Sequence, residues 1–444
     1  MIRRAESLCG GRKGALALLA LTLLGLGLRL DFAVRAPQRP IDDARGYARI
    51  AAALYEEGAY SQGPEGRRLG LQPAENYSPG LPLLAAAVYE LGGGVNETAA
   101  RIVLALIAAA AVPLSFGLGR RLGGSAAGLV AAAPMAIYPA LLEYTGMLTT
   151  EPLATTLLAA ALLAFLRACD GGSPWRFALA GALTGALAMV RPEYLALFAL
   201  LPALGALKLA RSRGWRAALG PAALTALAAC LVVAPWTVRN AIALDRFVPL
   251  STGGGQALFE GSYRPSGGDP QRVMAEVLAR NPGIRRELQS RPGPIYLDQV
   301  VAALATRRHP GEDTDAALAQ MGRSAYLDQL RDDPFGLAGY LAGKTWRVWT
   351  VSTRQVMNGP LWRLFHLLLV AAALAGLAIG LARRSFAALT MGAVAVLVTA
   401  IQAVYVASPR RTLVLLPLIC ALAGLCAVWL AGRLRERRAI SLPR

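Results

Sequence analysis

Apolar residues run along this chain in blocks of roughly twenty, separated by short breaks rich in arginine. At about 1.5 Å of rise per helical residue, a block of that length matches the hydrocarbon thickness of a bilayer. Candidate spanning helices run over 15–34, 99–119, 122–141, 152–167, 176–190, 194–208, 217–235, 361–381, 386–407 and 412–431. The pattern predicts an all-α polytopic membrane protein of about ten spans. The apolar piece from Pro79 to Leu91 is about a dozen residues and is broken by Pro82. Its length favours a helix that lies in the interface or re-enters, rather than one that crosses.

Charge decides the same point through parity. If Pro79–Leu91 does not cross, then Arg120 with Arg121, Arg167 with Arg176, the Lys208–Arg216 cluster, Arg383 with Arg384, and the Arg433–Arg438 tail share one side with the amino terminus. That is the cytoplasmic side by the positive-inside rule. Counting the piece as a span moves most of these short basic loops outside. The expectation is therefore a multi-pass cell-membrane protein with both termini cytoplasmic. Its two long hydrophilic segments, 35–98 and 236–360, would lie outside together with the corners Glu143–Glu151, Arg191–Glu193 and Ser408–Arg411. Three parts follow: a transmembrane module 1–235 that includes the first outer loop 35–98, an extracytoplasmic segment 236–360, and C-terminal spans with a basic tail over 361–444.

Composition agrees, with 55% hydrophobic residues and a mean hydropathy of +0.45. Lysine and arginine outnumber acids 46 to 27, for a formal charge of +19. No soluble segment carries a basic stripe with interleaved aromatics, so the excess reads as topological and not as a nucleic-acid surface. The first apolar run follows Arg3, Arg4, Arg12 and Lys13, and the small pair Val34 and Ala36 is followed by Pro37, which opposes cleavage; a retained signal anchor is expected. Cys9 has no apolar run before it and is no lipobox. Cys169, Cys230, Cys420 and Cys426 lie within or at the ends of spans as small hydrophobes, without a disulfide framework. His309 and His366 are the only histidines and are far apart, which argues against a histidine-based metal site.

Chemistry-bearing residues collect at the outer ends of spans. Asp42 and Asp43 open a stretch in which Tyr47, Ile50, Ala51, Leu54 and Tyr55 share one helical face before Gly58, an amphipathic helix on the membrane. A helix amino terminus favours ionised carboxylates; Asp43 could serve as the cap, which leaves Asp42 free for chemistry. Glu151, in Thr149-Thr150-Glu151-Pro152, opens another span, either as a functional acid or as a first-turn residue behind a threonine cap. Arg191, in Arg191-Pro192-Glu193, sits where a phosphate head group would meet it, or pairs with Glu193 or Glu151. Pro235-Trp236-Thr237-Val238-Arg239-Asn240 ends a span ahead of the Ser251–Gly255 loop, whose glycines lack the Gly-Lys-Ser/Thr of a nucleotide loop.

In their order and spacing these pieces, with Pro79-Gly80-Leu81-Pro82 and with Arg410 before Leu415-Leu416-Pro417, resemble the polyprenyl-phosphate-sugar glycosyltransferases of the GT-C superfamily. The likeness is greatest to bacterial members related to protein mannosyltransferases, glycosyltransferase family 39, and to the aminoarabinose transferases of lipid A. The resemblance implies a GT-C helix bundle. It places the catalytic carboxylate of the first outer loop on Asp42 and a second outer acid on Glu151. Many relatives carry Asp-Glu where this chain has Asp42-Asp43, and Asp at Glu151, which leaves open whether a divalent metal takes part. Asn76-Tyr77-Ser78-Pro79-Gly80 lacks the basic residue of the aminoarabinose enzymes, which argues against that sugar.

The implied reaction transfers a monosaccharide from a polyprenyl phosphate to a cell-envelope glycan, lipid or protein. The phosphate is a good leaving group, so the site needs cations for it and a base for the acceptor hydroxyl. Asp42 is the candidate base, with Asp43 beside it. Arg191, Arg410 and Arg239 are the candidates for phosphate. A flippase would place charges at mid-membrane, where this chain has few. A polysaccharide ligase or polymerase would share the large outer loops but not the acidic pair after the first span.

Overall fold

The structure is a computed structural model that describes residues 11–35, 42–69, 73–171, 173–291, 294–351 and 355–440, without the side chains of 42, 67, 69, 355, 356 and 437–440. Cys9, Ala36 and Pro37 therefore lie outside the described residues, as does the side chain of Asp42. All regular elements among the described residues are helical. Eight are long and apolar enough to cross a membrane, the first being Gly11–Arg35.

Two features reconcile eight with the expected ten. The long apolar stretch Glu97–Ile137 turns back on itself at Gly123 and Gly124, where φ/ψ pass through −147/23° and 78/−173°. A Cβ at Gly119 would stand 2.7 Å from the Ala127 carbonyl oxygen, and one at Gly128 would stand 2.7 Å from the Phe116 ring. The two halves are thus packed face to face as a hairpin of two spans. The second feature is Pro174–Val190, whose 17 residues fall just under the usual length. It packs along Trp215–Leu244 so closely that a Cβ at Gly185 would lie 2.6 Å from the Ala229 carbonyl oxygen, the small-residue contact that lets membrane helices approach.

Arg29, fully buried in the first span, donates to the Met135 carbonyl at 2.8 Å and the Ala136 carbonyl at 3.3 Å. These are among the last carbonyls of Ala111–Ile137, which have no intrahelical donor, so the charge closes a helix end.

The amphipathic helix Asp42–Glu57 buries Ala44, Tyr47, Ile50 and Ala51 and leaves Glu56 and Glu57 exposed. Gly46 is required there, because any Cβ would fall within the Tyr77 ring. The 13-residue helix Gly80–Gly92 reaches only about 20 Å. At one end a Cβ on Gly80 would touch Val190, the last residue of a span. Toward the other, Tyr89 meets Tyr55 edge to face at 6.4 Å and packs in a cluster with Ala100, next to Arg101, whose Nε donates to Ala33 near the end of the first span. The helix therefore lies across one end of the bundle.

Trp215–Leu244 continues past Pro235, where the sequence suggested an end. Its extension is held by the returning chain: Trp236 Nε1 donates to Leu250 O at 2.8 Å, the Thr237 hydroxyl to Pro249 O at 2.8 Å, and Asn240 Nδ2 to Val248 O and Leu250 O. Five helices, Gly254–Ser262, Pro270–Arg280, Pro282–Gln289, Leu297–Arg308 and Thr314–Asp332, then enclose a separate small core that includes Phe259, Val273, Ile284, Val300, Leu304 and Leu318. Pro334–Thr350 returns toward the bundle and carries Lys344, fully buried, whose Nζ donates to Gly261 O and Tyr405 O, each at 2.8 Å. This lysine fastens the five-helix unit to the turn before the last span.

Candidate active site

At the end of the bundle beneath that unit lies a cavity of about 710 Å³. Its lining draws on the amphipathic helix (Asp43, Tyr47), on two span ends (Thr150, Arg191), on Gln256 and Glu260 of Gly254–Ser262, and on the turn before the last span (Arg410, Arg411). Residues far apart in sequence thus meet in one place.

An alternating chain of charges runs along one wall. Glu151, with no exposed surface, accepts from Arg191 Nη2 at 2.9 Å and from Arg410 Nε at 2.7 Å. Arg191 also reaches Glu193 at 3.2 Å, and Arg410 Nη1 reaches Asp43 at 2.7 Å. Charge-assisted bonds of this kind are among the strongest a protein makes, and burial raises their directional hold further. Asp43, a prospective helix cap, instead lies in the first turn and binds Arg410. Thr149 precedes the span Thr150–Cys169 without a side-chain capping bond, and its hydroxyl donates to Tyr144 O at 3.0 Å. Both alternatives for Arg191 within the protein are realised together, since it holds Glu151 and Glu193 at once.

Arg239 stands apart from this wall. Its guanidinium lies 5.1 Å from the Trp236 ring centre and 5.5 Å from that of Tyr60, a stacked cation on two aromatic rings, and it donates to the Asn240 side chain. It does not line the cavity.

Two residues that sequence reasoning passed over complete the site. Arg411 follows Arg410 in the 3₁₀ turn Pro409–Leu415 and lines the cavity, and among the described residues no acid pairs with it. The only signal for it was its place beside Arg410 at a span end. Glu260 is 5% exposed and accepts from Gln256 Nε2 at 2.8 Å; burial pushes its carboxyl up to about 7. Burial likewise raises the Tyr47 hydroxyl above its ordinary value, with the Asp43 charge adding to it, so it stays protonated as a donor facing the cavity.

Among the described residues no group of three His, Cys, Asp or Glu is placed to hold a metal ion. Asp43 and Glu151 each commit an oxygen to arginine. Three guanidinium groups around two such carboxylates suit an anionic ligand better than a divalent cation.

Residues 76–238 match the dolichyl-phosphate-mannose-protein mannosyltransferase family. The matched segment contains Glu151 and Arg191, while Asp43, Arg410 and Arg411 lie to either side of it. No curated protein matches the sequence. The structure is similar to the archaeal oligosaccharyltransferase AglB from Archaeoglobus fulgidus in complex with an inhibitory peptide and a dolichol-phosphate, at a TM-score of 0.57 and 15% identity over 98% of this chain and 53% of that one. It is equally similar to the Archaeoglobus fulgidus oligosaccharyltransferase in complex with zinc and sulfate, at 0.57 and 14% over 96% and 50%. The chain spans about half the length of these two enzymes, and the likeness is one of fold. ArnT from Cupriavidus metallidurans bound to undecaprenyl phosphate aligns over 98% of this chain and 82% of that one at 16% identity, with a TM-score of 0.39. The chain is a multi-pass membrane protein whose fold resembles that of these oligosaccharyltransferases.

Proposed function

We propose that the chain transfers a monosaccharide from a polyprenyl-phosphate carrier to a hydroxyl of a cell-envelope acceptor at the extracytoplasmic face of the cell membrane, with inversion at the anomeric carbon. The observation that carries this reading is the cavity at a span-end surface where three arginines converge and one of them, Arg411, has no acidic partner among the described residues. A lipid phosphate anchored in the bilayer meets cations at that level. The family match over 76–238 supports the same donor class.

In the proposed step the acceptor oxygen attacks the anomeric carbon, the bond from that carbon to the phosphate oxygen breaks, and the polyprenyl phosphate departs with the electron pair. Arg411 takes the departing charge. Arg410, with Nε and Nη1 committed to Glu151 and Asp43, still has Nη2 for a phosphate oxygen. Arg191, gripped by two carboxylates, holds Glu151 in place and contributes positive potential to the wall. Asp42 remains the proposed base for the acceptor proton, since its neighbour Asp43 is paired with Arg410. Glu151 then acts as a positioning residue.

Binding of a short polyprenyl phosphate to the protein in nanodiscs tests the assignment. Arg411→Ala should weaken it by about 10- to 100-fold, the loss of one charged hydrogen bond. Arg411→Lys should restore part of that, because a point charge lacks the fork of the guanidinium. Unchanged affinity in Arg411→Ala would overturn the assignment.

A further inference from the structure

A second cavity, of about 640 Å³, lies between the strap around Asn76 and the helices Leu297–Arg308 and Thr314–Asp332. It shares three lining residues with the first: Asn76, Thr252 and Gln256. These three side chains form the partition. The Thr252 backbone N–H donates to Glu75 O at 2.8 Å, its hydroxyl bonds the Asn76 side chain, and Gln256 turns its amide toward Glu260 on the other side. The side chains of this wall change by rotamer rotation, with no movement of a helix, while the Thr252–Glu75 backbone bond stays in place.

The two chambers differ in chemistry. The first presents arginines. In the second each arginine is ion-paired: Arg246 with Asp313 at 2.6 Å, and Arg291 and Arg307 together with Glu287, at 2.8 and 3.0 Å. Asp315 is occupied by the N–H groups of Gly255 and Gln256 at the start of Gly254–Ser262. The rest of the polar lining is hydroxyls, amides and carboxylates, Thr306, Thr314, Glu75 and Asp298 among them, with no aromatic ring. Such a lining matches the many donors and acceptors of a neutral, hydroxyl-rich molecule. It offers no unpaired cation for an anionic head group.

We infer that the second cavity is the acceptor subsite, which holds a neutral carbohydrate and presents one of its hydroxyls to the first cavity across Asn76, Thr252 and Gln256. The inference rests on the transferase reading and adds to it the class of acceptor. Its volume falls in the range of pockets that enclose small ligands and short segments of larger ones.

Full-length protein in proteoliposomes is tested in two ways. The first is direct binding: Thr306→Cys places a thiol in the cavity at an exposed position, and a neutral oligosaccharide panel should slow its alkylation, read by peptide mass, without any donor present. The second is kinetic. Ala302→Trp fills the cavity and should raise the acceptor KM for a protected oligosaccharide at least tenfold. Donor KM and acceptor-independent hydrolysis of the donor should stay at the unsubstituted level. Absence of protection, an unchanged acceptor KM, or protection by hydroxyl-bearing peptides and not by oligosaccharides would each overturn the subsite. Protein that neither transfers nor hydrolyses the donor, while Thr306→Cys is still protected, would defeat the transferase reading and leave the carbohydrate site standing.

Discussion

Removing Glu151 should loosen the end of the bundle well before it alters any other part of the protein. Glu151→Ala leaves Arg191 and Arg410, whose side chains are only 10% and 20% exposed, without the carboxylate that both contact at under 3 Å. Breaking a buried pair by removing one partner costs about 3–5 kcal/mol, because the remaining charge keeps its desolvation penalty. Arg191 retains Glu193 and Arg410 retains Asp43, so the lower end, about 3 kcal/mol, is expected. For a chain of this size that corresponds to a fall of roughly 3 °C in the unfolding midpoint. Glu151→Gln keeps an acceptor oxygen and should lose less. The assay is thermal unfolding in nanodiscs, with Glu56→Ala, on the exposed face of its helix, as a control expected within about 0.5 kcal/mol of the unsubstituted protein. Combining Glu151→Ala with Arg410→Ala should cost clearly less than the sum of the two, since the second change removes a charge the first left stranded. A midpoint unmoved by Glu151→Ala, or strict additivity in the pair, would refute the network as a structural anchor.

Glu260, with its carboxyl raised from 4.5 to about 7 by burial, is bound to its proton in the fold at acidic pH while the unfolded chain has released it. Its stabilising effect is complete below about pH 4.5 and is lost as pH rises to about 7, a swing of about 3 kcal/mol that Glu260→Gln should flatten in midpoints measured from pH 4.5 to 8; an identical slope in the variant would contradict the burial argument. Asp42→Asn should lower turnover by a factor of roughly 10² to 10⁴ with donor affinity unchanged, as expected for a lost base. Asp43→Asn should chiefly weaken donor binding by releasing Arg410, and the reverse pattern in single-turnover and binding measurements would move the base to Asp43.

The spans were legible because a bilayer imposes a length on apolar runs and leaves arginine for the loops between them. The break at Arg120 and Arg121, between the expected spans 99–119 and 122–141, falls within four residues of the hairpin turn at Gly123 and Gly124. Pro235 was misleading. A proline interrupts one hydrogen bond, and three side-chain bonds from Trp236, Thr237 and Asn240 to the returning chain outweigh that loss. At the site, polar residues at span ends were visible one by one, and four of them, Asp43, Glu151, Arg191 and Arg410, do meet. Which acid takes which arginine was not visible, because the partners lie 40 to 367 positions apart and depend on how the spans pack. Arg239 illustrates the limit. The rings of Trp236 and Tyr60 hold it, and it does not line the cavity. Arg411 and Glu260 were hidden for the opposite reason, since only the 3₁₀ turn and the fold of the outer unit aim them into the cavity.

Sugar transfer itself is the most direct test. The protein is reconstituted in liposomes with a panel of polyprenyl-phosphate sugars labelled in the sugar, together with a cell-envelope acceptor fraction, and both product and anomeric configuration are read. At least one donor should deliver its label to an acceptor with inverted configuration, and Arg411→Ala should abolish delivery at donor concentrations that suffice for the unsubstituted protein. Label that crosses the bilayer still attached to its carrier, with no product formed from any donor, would contradict the transferase and identify the protein as a carrier flippase.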